Sequence, residues 1–168
     1  MQSILIILGA VAGLGFALWL LQAWRTLAFC RAQCIDAWGQ LRAELAARRE
    51  MIPYLVTAAN PGKGALVDVI GNACDLAANV EGVRESSQAE ARLGAALSRL
   101  LAQLDQVEAQ DANARLKQLR AHTDEVNARI NLLHETYNRE ADTFNALLDR
   151  PAGRLMASVQ LFRRMDRF

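Results

Sequence analysis

Apolar residues fall along this chain in two regimes. From Ile4 to Leu21 every position is apolar or small, with no charge, amide or hydroxyl to mark a polar face. As a helix that stretch covers ~27 Å, and carried on to Trp24 it reaches the ~30 Å of a bilayer's hydrocarbon core. Its Leu, Ile, Val and Phe side chains each favour insertion by about 0.3–0.6 kcal/mol near a helix centre. The pattern predicts a transmembrane anchor over residues 1–24. Beyond Trp24 the spacing changes: Leu27, Cys30, Cys34, Trp38, Leu41, Leu45, Ile52 and Val56 recur at three- and four-residue steps. One face stays apolar, so the anchor is expected to run into the first helix of the body.

The same periodicity predicts three further helices. Leu66, Ile70, Ala73, Ala77 and Val80 mark the second, ending near Glu81 and Gly82. A third is expected from about Ser87, with Ser86 or Ser87 as N-cap and Glu90 completing a capping box, and with Leu93, Leu97, Leu100, Leu104 and Val107 as its seam. The fourth is the most regular, through Leu116, Leu119, Thr123, Val126, Ile130, Leu133, Tyr137, Glu140, Phe144 and Leu147. Pro53 is expected to kink or restart the first helix, Asn60 to Gly64 to form a turn, and Glu108 to Asn113 a loop or bend. Pro151 ends the fourth helix and opens a short last one. The fold class is all-α: an N-terminal transmembrane helix followed by an antiparallel up-and-down bundle of about four long helices, the seam of the fourth also fitting a coiled coil. Residues 25–150 form the bundle and residues 151–168 a basic amphipathic segment.

Composition supports this picture, since Ala, Leu, Arg, Glu and Gln lose least on entering a helix. The net charge of +1 hides a basic start, an acidic middle and a basic end, residues 149–168 carrying five Arg against two Asp. Arg25 and Arg31 follow the anchor closely, so the positive-inside bias places the body in the cytoplasm and the N-terminus outside. A cleaved signal peptide is the competing reading, opposed by the lack of a basic leading region and of a small-x-small site. Gly9 and Gly13 form a small-x-x-x-small pair, a candidate face for a homo-oligomer. Cys30, Cys34 and Cys74 are too sparse for a disulfide framework, and Cys30 and Cys34 read as small core residues.

Ala37-Trp38, Gln40, Leu45, Arg48-Arg49, Ile52-Pro53 and Leu55-Val56 resemble the opening signature of the LemA family, and Tyr137-Asn138, Phe144-Asn145 and Pro151 its closing signature. The apolar leading helix stands where the family has it. The sequence departs from the family at Val107-Glu108, near an expected Tyr-Pro pair, and at His134, where an Arg is usual. The resemblance implies a single-pass bacterial membrane protein with a cytoplasmic helical bundle, no established enzymatic activity and, in some relatives, a link to membrane organisation.

Each signature residue also has a physical reading. Trp38 is expected as a core anchor, because an indole buries on the order of 200 Å². One of Arg48 and Arg49 is expected to pair with an acid of another helix, such as Glu140, while the other faces solvent; a basic site for an anionic lipid or protein is the alternative. Asn138 and Asn145, seven residues apart on one helix, are expected to hydrogen-bond backbone around Pro53 or Pro151, a partner-binding role being the alternative. No His, Cys, Asp or Glu spacing points to zinc, no serine sits in a nucleophile elbow, and no cofactor is implied. Glu90 and the Asp124-Glu125 pair read as solvated helix faces.

In the tail, Arg154, Arg163, Arg164 and Arg167 alternate with Leu155, Met156, Val159, Phe162 and Phe168. Such a segment either lies on an anionic leaflet or closes one end of the bundle. A near-neutral chain with an acidic centre offers no track for nucleic acid. The functional expectation is therefore a non-enzymatic interaction or scaffold module on the cytoplasmic membrane with an unidentified protein partner. Its rival is a self-associating membrane organiser that uses the anchor and the tail.

Overall fold

The apolar run and the first amphipathic stretch form one helix. In the computed structural model, which describes residues 2–59, 65–110, 114–159 and 161–168, α1 covers Gln2–Ala59. It is followed by α2 (Ala65–Asn79), α3 (Val83–Gln110), α4 (Ala114–Leu148) and α5 (Pro151–Ser158). The architecture is an all-α helical bundle preceded by a long apolar helical segment, with no strand among the described residues. α1 is the one helix among the described residues long and apolar enough to cross a membrane. Its leading aliphatic side chains are left largely exposed, Ile4, Leu14 and Leu18 each by more than half. Aliphatic groups left in that state gain free energy from a hydrocarbon phase.

Contacts divide the chain into two units. The first comprises residues 1–37 and 139–165, the second residues 38–138 and 166–168. In the second unit, Ile52 and Leu55 of α1 meet Ile70 and Ala77 of α2 and Ala89, Leu93, Leu97, Leu100 and Leu104 of α3 in one buried cluster. Steps of three and four put this row of α3 on one side of the helix. In the first unit, Leu27 and Cys34 of α1, Phe144 and Leu148 of α4, Met156 of α5 and Phe162 form the core. The Phe144 and Phe162 rings meet edge to face at 6.2 Å. The same geometry closes many buried aromatic pairs, because the positive edge of one ring lies over the negative face of the other.

Several boundaries differ from the sequence expectation. α1 passes through Pro53 without a restart. The proline withdraws the N–H that would bond Arg49 O, and one turn on Thr57 Oγ1 donates to Pro53 O at 2.8 Å, which satisfies the hydroxyl within the helix. α3 begins at Val83, not near Ser87; Ser86 N donates to Gly82 O at 2.8 Å, so the helix is already turning at the expected cap. Helix also continues through Glu108 to Gln110, while the Asn60–Gly64 turn and residues 111–113 lie outside the described residues. Along α4 the buried row moves from Val126, Ile130 and Tyr137 to Ala141, Phe144 and Leu148, leaving Glu140 and Leu147 half-buried. A straight helix drifts ~20° per heptad, which carries the seam off a strict seven-residue repeat.

Pro151 does open a helix. Arg150 is its N-cap, with extended backbone and no side-chain cap, and Pro151 stands at the first position. A proline loses nothing there because that N–H has no intrahelical acceptor. Two residues on, a Cβ at Gly153 would lie 2.3 Å from Leu147 O and 2.7 Å from Leu148 Cα. The start of α5 therefore touches the backbone of the end of α4, and only glycine permits that approach. Gly39, in α1, has nothing within 4 Å of such an atom. Gly153→Ala is expected to destabilise the first unit by about 1–3 kcal/mol, whereas Gly39→Ala should be neutral or stabilising by up to about 1 kcal/mol. Denaturant titration followed by circular dichroism in detergent checks both.

Candidate functional site

The charged and aromatic signature residues gather in two places. At the first, Arg48 and Arg49 of α1 both donate to the carboxylate of Glu90 on α3, each to a different oxygen. Glu90 is 5% exposed, and the Arg48 and Arg49 side chains are 12% and 22% exposed. This corrects the sequence expectation twice. Both arginines pair with Glu90 and not Glu140, and Glu90 is neither a capping-box partner nor a solvated acid. Its position carries the signal: Glu90, Leu93, Leu97, Leu100 and Leu104 keep the three-four step of the α3 seam. A carboxylate on an apolar seam needs cations, and two consecutive arginines supply them. Beside this group, Arg49, Glu50 and Pro53 of α1 face Ile70, Cys74 and Asp75 of α2 across a groove of about 550 Å³.

The second gathering is a clasp on the non-helical residues after α5. Trp38 is half-buried, its ring 5.6 Å from that of Tyr137 and 5.6 Å from that of Phe168. His134 meets the Phe168 ring edge-on at 5.5 Å. Tyr137 donates its hydroxyl to Asp166 O at 2.8 Å. The Asn138 amide bonds both backbone groups of one residue: its Oδ1 accepts from Phe168 N at 2.9 Å and its Nδ2 donates to Phe168 O at 3.2 Å. His134 Nε2 lies 2.8 Å from the same oxygen. The same ring nitrogen lies 3.0 Å from Asn138 Nδ2, so the imidazole, the amide and the Phe168 carbonyl form one polar triangle.

Asn145 repeats the device in the first unit. Its Oδ1 accepts from Met165 N at 3.0 Å and its Nδ2 donates to Met165 O at 2.9 Å. Each amide thus behaves like one residue of a neighbouring strand, exchanging both an N–H and a C=O bond with a single residue. The amides bind the tail, not backbone around Pro53 or Pro151. Nothing in the composition of residues 165–168 announces this, because the atoms recognised are main-chain atoms common to every residue.

The remaining candidates are placed as follows. In the tail the helix stops at Ser158, and Met156 and Phe162 turn into the core instead of forming one amphipathic face to Phe168. Arg164 pairs with Asp149. Arg154 and Arg163 are exposed. Gly9 and Gly13 lie on the exposed apolar part of α1, and a Cβ added at either would meet nothing within 4 Å. Burial pushes the Cys34 thiol up to about 11, helped by the Glu140 carboxylate and by Cys30, and burial raises Cys30 and Cys74 as well. Nucleophilic thiols need the opposite shift. Among the described residues no three of His, Cys, Asp and Glu group as a metal site would require.

Two substitutions test these constellations. Glu90→Gln leaves two guanidinium groups sharing a neutral amide in a largely dry site, and should cost about 3 kcal/mol, more than Arg49→Gln, whose charge is the more exposed. Denaturant titration of the two variants ranks them. Asn138→Ala removes two hydrogen bonds worth about 0.5–1.5 kcal/mol each. It should release the tail to carboxypeptidase digestion while the far-ultraviolet circular dichroism is unchanged, a result read by mass spectrometry of the digested chain.

Among known proteins, a family model described as LemA family matches residues 37–168, which contain both arginines, Glu90 and the whole clasp. No curated protein matches the chain.

Proposed function

Because the chain belongs to the LemA family, we propose that it works as a non-enzymatic scaffold, holding a helical body against the inner face of the bacterial cytoplasmic membrane for a protein partner to bind. The observation that carries this reading is the continuity of α1, in which an exposed apolar segment passes into the body with no intervening linker. A body joined in that way stays at the membrane surface. Placement on the cytoplasmic side, with the N-terminus outside, is supported by Arg25 and Arg31 on the body side of the apolar segment. The family is not known as one of enzymes, and the ordered features of the body, a buried ion group and a tied-down tail, serve rigidity. A rigid surface is what a scaffold requires, since it lowers the cost of ordering groups on binding.

The rival reading is self-association through Gly9 and Gly13. The two readings are separated by crosslinking the full chain in native membranes before gentle solubilisation. The scaffold reading expects a stoichiometric adduct with a second protein that survives Gly9→Ile with Gly13→Ile. Adducts made only of this chain, lost in that double variant, would replace it with self-association.

A further inference from the structure

α5 buries Ala152, Gly153 and Met156 in the first unit and turns another face outward. On that face Leu155 is 49% exposed and Val159, one turn on, 69%; Leu161, just beyond the helix, is 54% exposed. Arg154 and Arg163 stand exposed beside them. Three large aliphatic groups left in water forgo roughly 1–2 kcal/mol each, even allowing for partial exposure. The fold has buried Met156 and Phe162 from the same segment, so the exposed three are not a failure of the segment to reach the core.

The level of this face is set by its neighbours within the same unit. Arg150 and Pro151, where α5 starts, share a cavity of about 320 Å³ with Trp19 and Gln22 of α1. Leu161, after its end, shares a groove of about 280 Å³ with Trp24, Arg31 and Ile35. Trp19 belongs to the apolar run and Trp24 closes the anchor three residues after the run ends, and indoles at the end of a span sit where hydrocarbon gives way to headgroups. α5 therefore lies alongside the part of α1 that crosses the headgroup layer. Charge agrees with that place. Asp149 is held by Arg164, and Asp166 is the other acid among residues 149–168, against five arginines.

We propose that α5 is an interfacial membrane element: Leu155, Val159 and Leu161 insert into the leaflet from which α1 emerges, and Arg154 and Arg163 contact the phosphates of anionic lipids there. This rests on α1 being embedded and is independent of any scaffold role. An interfacial helix sinks its apolar face ~5–10 Å into the headgroup and acyl boundary, and each cation near an anionic surface adds about 1 kcal/mol. The paired bonds between Asn145 and Met165 have a role in this arrangement, because they hold the chain after Phe162 to α4 and limit how far α5 can leave it.

Depth measurement on the full chain tests the proposal. Cys30, Cys34 and Cys74 are replaced by Ala, and a nitroxide is attached through Leu155→Cys, Val159→Cys or Leu161→Cys, with Leu14→Cys and Leu132→Cys as references inside the apolar segment and on the second unit. The protein is reconstituted in phosphatidylcholine vesicles with or without phosphatidylglycerol. The ratio of oxygen to water-soluble nickel-chelate accessibility should be at least ~3-fold higher at 155, 159 and 161 than at 132, as for a site below the headgroups. Adding Arg154→Glu with Arg163→Glu should bring the value in phosphatidylglycerol vesicles down to that in phosphatidylcholine alone.

Labels at 155, 159 and 161 as open to nickel as 132, while 14 is shielded, would overturn the interfacial placement and leave the anchor standing. Shielding from both reagents would mean that protein covers the face, and would overturn it equally. A nickel-accessible label at 14 would remove the anchor and the proposal together. Insensitivity to the arginine reversal would overturn the anionic-lipid contact.

Discussion

A single buried carboxylate decides how α1 and α3 meet in the second unit. Adjacent residues of a helix point about 100° apart, so Arg48 and Arg49 can share Glu90 only if the acid lies over the gap between them. Sliding α3 by one residue or rolling α1 by one position strands at least one charge. Such groups rarely add net stability, since desolvation offsets their attraction, but an uncompensated charge in a dry site is strongly unfavourable. The group therefore acts chiefly by excluding other registers. Ile52, Leu55, Leu93 and Leu97, which would pack acceptably in several offsets, are held to one.

The tail is secured on a different principle. Asn138 and Asn145 meet Phe168 and Met165 through paired bonds to main-chain atoms. Seven residues of helix rise ~10.5 Å, and three residues of extended chain cover ~10 Å. The seven-residue interval between the amides thus suits residues three apart in the tail. Aromatic contact completes the arrangement in the second unit, where Trp38 and His134 meet the Phe168 ring while Tyr137 packs on Trp38 and bonds Asp166 O. The half-buried Trp38 contributes through this contact more than through depth in the core.

Much of the architecture is legible in the sequence because it follows from periodicity. The apolar run, the seams of α2, α3 and α4, and the break at Pro151 all express which face of a helix must leave water. Other features depend on information that periodicity does not carry. Glu90 reads as solvated when residue type is weighed above its place on the α3 seam. The serines inside the first turn of α3 imitate a cap and draw the expected start of that helix too far along the chain. Glu140 and Leu147 fall off the buried face because 3.6 residues per turn outruns a seven-residue count. The backbone partners of the asparagines have no sequence signature at all, and neither does the close backbone approach that requires Gly153.

The tail's mode of attachment bears on how it can vary. A side-chain amide that grips an N–H and a C=O is blind to the residue carrying them, so Met165 contributes atoms that almost any amino acid could supply. What the two amides cannot tolerate is a change in count. One residue gained or lost between Met165 and Phe168 would shift every downstream peptide group by ~3.3 Å and turn its polar edge to the opposite side. Over evolutionary time the amides should therefore freeze the length of this stretch, while its side chains answer only to what they themselves touch, Met165 to the core and Phe168 to Trp38 and His134.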